Sequence, residues 1–258
     1  MNLELQDRSV VVTGGSKGIG LAIALAFAAE GARPVLVSRQ RSNLDAALQA
    51  FAGAGHAAPR VIELDLAAPG SAQALHALVP DADILVNNAG AIPGGSIHAV
   101  DETRWRAAWE LKLYSYVNLT RAYLATMEAR GHGVICNIIG MAGAAPRYDY
   151  ICGAAANAAL IALTRGVGAG SVARGVRVFG INPSPTRSDR IRTLFEQQAA
   201  TRLGDPARWQ EMAAKLPFGR LAEPAEIASL AVLGCSPRCG YISGTVIDVD
   251  GGQQFAPA

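Results

Sequence analysis

Short runs that are apolar almost throughout alternate along this chain with longer stretches of helical periodicity. Ser9–Val12, Pro34–Ser38, Val61–Leu64, Ile84–Val86, Val134–Ile139, Val176–Ile181 and Thr245–Val249 read as strands. A strand covered on both faces loses the polar alternation of a half-exposed one. Helical patterns fill 18–30, 42–52, 71–79, 103–130, 152–173 and 223–235. In the first of these, Ile19, Ile23 and Phe27 recur every four residues, while Leu21 and Leu25 make the other side apolar. That pattern predicts a buried helix, closed at Gly31. Alternation with crossovers of this length predicts an α/β fold, a doubly wound parallel sheet with helices on both faces. No repeat or low-complexity linker divides 1–258, which reads as one domain. The least regular stretch, 183–222, holds four prolines and reads as a substrate-side lid.

Composition narrows the class. Half of the 258 residues are hydrophobic and 17% are charged, enough for a sizeable core and too apolar for disorder. A net charge of +2 predicts neither nucleic acid nor an anionic membrane as partner. Only Cys235 and Cys239 of the four cysteines lie close in sequence, so free thiols in a reducing compartment are expected and no metal site. The charged N-terminus enters a strand at once, unlike a signal peptide or anchor. No uncharged apolar stretch reaches the roughly 18 residues of a membrane span. A cytoplasmic protein acting on a small-molecule substrate is the expectation.

The chemistry begins after the first strand, at Thr13-Gly14-Gly15-Ser16-Lys17-Gly18-Ile19-Gly20. A glycine-rich turn between a strand and a buried helix is the setting of a dinucleotide diphosphate site. Gly14 permits the turn, Gly18 lets the backbone approach the phosphates, and Gly20 allows close packing. The helix N-terminus supplies open N–H groups from Ser16, Lys17, Gly18 and Ile19.

The spacing of this turn resembles that of the classical short-chain dehydrogenase/reductase family. So do Asp65-Leu66, Asn87-Asn88-Ala89-Gly90, Asn182-Pro183-Ser184-Pro185, Gly219-Arg220 and Asp248-Val249-Asp250-Gly251-Gly252. The resemblance spans nearly the whole chain. It implies a Rossmann-type seven-stranded sheet, a nicotinamide cofactor and assembly as a homotetramer or dimer through the two long helices. It also implies that Asp65 and Leu66 meet the adenine, that Asn88, Ala89 and Gly90 support the adenosine end, and that Pro183, Ser184 and Ser188 lie beside the nicotinamide.

Strand two ends in Val37-Ser38-Arg39-Gln40-Arg41, with no acid before Asp45 to accept from a ribose 2′-hydroxyl. Ser38, Arg39 and Lys17 suit a 2′-phosphate instead, so NADP is expected over NAD.

The family's catalytic residues are absent. The run Ala158–Arg165 sets a register that puts Asn157 where the family has its lysine and Gly153 where it has its tyrosine. Gly140 falls at the serine, and Lys112 at the helix asparagine. Glycines at two of these positions predict a widened pocket. Lys112 is the candidate replacement: desolvated there, it would exchange protons near neutral pH. Tyr150 or Tyr116 would supply a phenol. His98, Arg147 and Tyr148 lie on nearby loops. Two readings follow: an NADP-dependent oxidoreductase with a remodelled acid/base, or a catalytically inactive NADP(H)-binding protein. A non-redox enzyme on the same fold is a third.

Overall fold

The computed structural model describes residues 1–255. Seven strands form one parallel sheet in the order β3-β2-β1-β4-β5-β6-β7. They are β1 Ser9–Thr13, β2 Arg33–Ser38, β3 Arg60–Glu63, β4 Ile84–Asn87, β5 Gly133–Ile138, β6 Val176–Pro183 and β7 Val246–Val249. The order reverses between β1 and β4, and a crevice opens at the carboxyl ends of strands at such a switch point. This is the Rossmann-type architecture that the alternation of elements predicts.

Neighbouring residues of β1 feed opposite cores. Val10 and Val12 pack with Ile23 and Phe27 of helix α1 (Gly18–Ala29), and with Ile227 and Ala231 of α9 (Pro224–Cys235). Val11 packs on the other face with Leu75 of α3 (Ser71–Leu78), and with Leu119 and Tyr123 of α5 (Ser115–Arg130). Full burial on both sides is why the strands carry no polar alternation. Helix α2 is Arg41–Gly53.

Three elements depart from the sequence reading. The long helix expected over 103–130 is α4 (Glu102–Trp109), then a π-helical turn Glu110–Tyr114, then α5. The widened turn is centred on Lys112, and such turns concentrate at functional sites. The 183–222 stretch is more regular than expected, containing α7 (Asp189–Leu203) and α8 (Trp209–Ala213). Finally, the stretch Ile151–Arg174, which contains α6 (Ile151–Ser171), is long and apolar enough by composition to cross a membrane, although Arg165 interrupts it. Half of its apolar window is buried within this fold. Its Gly168 is there for the sheet, since a Cβ would lie 2.3 Å from the Val178 carbonyl oxygen, whereas Gly166 and Gly170 face open space.

Candidate functional site

The turn after β1 is built by mutual fit. Gly14 and Gly18 adopt φ of +62° and +52°, conformations that disfavour any side chain. A Cβ on Gly20 would lie 2.2 Å from the Gly14 carbonyl oxygen, so α1 meets the turn with no room to spare. Asn88 Nδ2 donates to the carbonyls of Thr13 (2.9 Å) and Gly14 (3.2 Å). Asn88 therefore shapes the turn and has no free amide hydrogen geometry to offer elsewhere. Lys17, at the N-cap of α1, provides no side-chain cap, so the first-turn amides of that helix remain open. Beside it the Ser16 hydroxyl donates to Ser38 Oγ at 2.9 Å. Arg39 is exposed, with only Asp65 near it at 4.0 Å, while Arg41 is held by Asp45 at 2.9 Å. Open amides, two hydroxyls and an exposed guanidinium with only a long contact to Asp65 fit a phosphorylated dinucleotide. Leu66 and Ala89 are buried in the core that Val11 shares with α3 and α5.

At the other end of the crevice, Ser184 N–H donates to the Val249 carbonyl, and Ser188 caps α7 by accepting from Ile191 N–H. A Cβ on Gly18 would meet only Ser188 Cβ, at 3.8 Å, so α7 begins directly over the phosphate turn.

Lys112 is buried, and among the described residues no carboxylate pairs with it, which removes the structural ion pair that a lysine on a helix beside Glu110 would suggest. Nζ donates to the Ile138 carbonyl (2.7 Å) and to Tyr116 Oη (2.9 Å), and lies 4.5 Å from the Tyr116 ring centre. Burial first, and the charge of Arg190 second, push this amine from 10.5 down to about 7. Tyr116 donates its own proton to Ile138 O at 2.9 Å, and burial raises it well above the usual phenol value. It orients the lysine and is a poor proton donor. The lysine stem depends on Gly90: a Cβ there would sit 2.7 Å from Lys112 Cδ.

Tyr150 stands at the N-cap of α6, and its ring covers Gly153. A Cβ on Gly153 would lie 2.1 Å from Tyr150 Cε1. The phenol oxygen accepts from Arg190 Nη2 at 3.2 Å, which leaves its hydrogen free to donate. Gly140 has φ +139° and ψ 143°, a region that only glycine occupies readily. Asn157 Nδ2 donates to the Gly140 carbonyl at 3.4 Å, and its Oδ1 is buried with no partner. The expected widening of the pocket is thus corrected. Tyr150 fills the volume at Gly153, and Asn157 crowds Gly140, where a Cβ would lie 2.8 Å from its Nδ2.

Arg190 is the residue that sequence reasoning missed. It sits in the first turn of α7 and reaches across to the loop after β4, donating to the carbonyls of Ile92 (2.6 Å) and Gly90 (3.5 Å). A signal was present: Ser188-Asp189 with Ile191, Phe195 and Ala199 is a capped helical pattern. Arg147 forms an ion pair with Asp149 at 2.9 Å, while Tyr148 and His98 are exposed on their loops.

Comparison with known proteins decides the family. A profile described as enoyl-(acyl carrier protein) reductase matches residues 14–254. Galactitol 2-dehydrogenase (L-tagatose-forming) of Cereibacter sphaeroides is 33% identical over 251 residues, covering 96% of this chain and 95% of that protein. The chain belongs to the short-chain dehydrogenase/reductase family. This family is one of oxidoreductases that use nicotinamide cofactors. The L-sorbose reductase of Gluconobacter frateurii, solved with NADPH and L-sorbose, matches this short-chain dehydrogenase/reductase at TM-score 0.88 and 31% identity over the full length of both chains. A 7α-hydroxysteroid dehydrogenase solved with NADH matches at TM-score 0.84 and 27% identity, covering 97% of this chain and 96% of that one.

Proposed function

We propose that this chain is an NADP-dependent oxidoreductase that interconverts a carbonyl compound and its alcohol with a remodelled acid/base. A bound nicotinamide supplies or takes the hydride. Tyr150 holds the transferable proton at Oη, the acceptor side of that oxygen being occupied by Arg190. Lys112, close enough to Arg190 to feel its charge, is an amine that changes charge near neutral pH and so exchanges protons where a lysine at its ordinary value would not. The observation that carries this reading is the seat of Tyr150 on Gly153: removal of one side chain makes the volume that another phenol occupies.

The preference for NADP rests on the exposed Arg39 beside the Ser16–Ser38 pair and on the lack of an acid at the end of β2. A guanidinium–phosphate contact there contributes about 1.5–3 kcal/mol. NAD is the weaker alternative. The 183–222 stretch acts as a lid, and copies of the chain pair through the outer faces of α5 and α6 into a dimer or tetramer.

One observation favours the inactive alternative. The Gly140 backbone disfavours any side chain where the family has its serine, so no hydroxyl orients a substrate oxygen from that position. The test is NADPH consumption across a panel of aldehydes and ketones, with Lys112→Ala and Tyr150→Phe beside the parent. Turnover lowered by Tyr150→Phe is expected. Tight NADPH binding with no turnover on any member supports the inactive reading. Turnover indifferent to both substitutions overturns the assigned residues.

A further inference from the structure

We propose that Arg190 receives a small anion, carboxylate or phosphate, carried by the substrate, so that the compound turned over is an anionic carbonyl compound or the corresponding hydroxy acid. The proposal rests on the oxidoreductase reading and adds the substrate class.

The lid segment and its flank carry many arginines, and their pairing separates one from the rest. Arg187 pairs with Glu223, Arg192 with Glu196, Arg202 with Asp149, Arg208 with Glu211 and Arg220 with Glu226. Among the described residues, Arg190 forms no pair with a carboxylate. It is nevertheless held in place. Nη2 donates to Ile92 O and Tyr150 Oη, and Nη1 reaches Gly90 O, so two backbone carbonyls and a phenol orient the fork. Nε has no partner, and the residue is exposed. A fixed guanidinium with Nε–H and one Nη1–H still open suits an oxyanion, which it meets with a charge-assisted hydrogen bond.

The surroundings add charge of the same sign. Asp149, the acid next to Tyr150 in sequence, is already shared by Arg147 and Arg202. Among the described residues no acid pairs with Lys112 either, and Arg190 is close enough to help lower it. Cations without carboxylate partners concentrate anions around them. The partners of Arg190 belong to the loop after β4 and the N-cap of α6, where Tyr150 presents its proton, and not to the turn after β1. The direct bond to Tyr150 assigns the anion to the substrate, and because α7 begins over the phosphate turn the NADPH titration below separates it from the diphosphate. With the anion on Arg190, the substrate's carbonyl lies within reach of Tyr150. In reduction, a bound nicotinamide would supply the hydride to the carbonyl carbon, the C=O π pair would move to oxygen, and the Tyr150 proton would complete the hydroxyl. The phenolate left behind is protonated from solvent.

The test compares the parent chain with Arg190→Gln and Arg190→Lys. The activity probes are phenylpyruvate, its methyl ester and dihydroxyacetone phosphate. Binding of phenylpyruvate and of inorganic phosphate to cofactor-free protein is measured by calorimetry, and NADPH affinity by fluorescence titration. The expected result is a preference for the acid over its ester that collapses in Arg190→Gln through KM, by about 10- to 100-fold. Arg190→Lys should restore part of it, and NADPH affinity should not move. Preference for dihydroxyacetone phosphate makes the anion a phosphate, and preference for phenylpyruvate makes it a carboxylate. Loss of NADPH affinity in Arg190→Gln would overturn the proposal by making the arginine a cofactor ligand, as would esters handled as well as acids. If nothing is turned over, calorimetric binding of phenylpyruvate or phosphate that Arg190→Gln abolishes still supports the anion site while the oxidoreductase reading fails. Absence of any such binding overturns the anion site itself.

Discussion

Replacing Lys112 by Met should stabilise the protein, and by an amount that depends on pH. The amine is buried without a carboxylate, and its fall from 10.5 to about 7 corresponds to a burial cost on the order of 5 kcal/mol when the amine is charged. Methionine has a similar reach and no charge, and Tyr116 continues to donate to Ile138 O. The hydrogen bonds lost from Nζ offset roughly 1–2 kcal/mol. A net gain of roughly 3–4 kcal/mol is expected at pH 6. Between about pH 7 and 10.5 the unfolded chain carries a proton on Lys112 that the folded chain has released, so the parent gains stability as pH rises. The advantage of Lys112→Met should therefore shrink by roughly 2.5 kcal/mol between pH 6 and pH 9. Urea unfolding of both proteins at matched pH, with equal m-values, measures this directly. The same substitution should remove a limb near pH 7 from the rate profile of the parent. A stability difference that stays flat with pH would refute the reasoning, because it would mean that the native amine keeps its water.

Tyr150→Phe should lower kcat/KM by about 10²–10⁴ with NADPH affinity intact, and unchanged rates would remove the proton from that oxygen. Arg39→Ala should weaken NADPH by about 10- to 100-fold and leave NADH alone, which fluorescence titration of both cofactors checks. Gly153→Tyr should destabilise by about 1–3 kcal/mol, because its Cβ would fall 2.1 Å from Tyr150 Cε1. Thermal melts should show the loss relieved when Tyr150→Ala is added.

Much of the fold was legible because burial on both faces leaves a period-free apolar run for each strand, and all seven such runs are strands of the sheet. The phosphate turn was legible because the steric demands at Gly14, Gly18 and Gly20 admit almost no other residue. Helix α7 was harder to read, since only Phe195 and Ala199 of it are buried and the prolines around it suggest a loop. The π turn had no local signature at all: Glu110–Tyr114 has ordinary helical composition, and its widening belongs to the packing of Lys112 under Gly90. The reach of Arg190 to Ile92 and Tyr150 joins residues 98 and 40 positions apart in sequence, which no periodicity encodes.

The departures at the catalytic positions are coupled to one another through space. Gly90 leaves room for the Lys112 stem, and Lys112 in turn satisfies Ile138 O together with Tyr116. Ile138 is the last residue of β5, and two residues on the chain bends at Gly140 into a conformation closed to serine, with Asn157 bonded to its carbonyl. One α6 turn from Asn157, Gly153 is bare because Tyr150 lies over it, and Tyr150 is held from α7 by Arg190. Random decay of a disused site would delete side chains without filling the spaces they leave. Here each small residue faces a large neighbour that occupies its volume, and the polar atoms of Lys112, Tyr116 and Tyr150 are hydrogen-bonded to one another's surroundings. A set that interlocks in this way fits a site rebuilt for different work better than one abandoned.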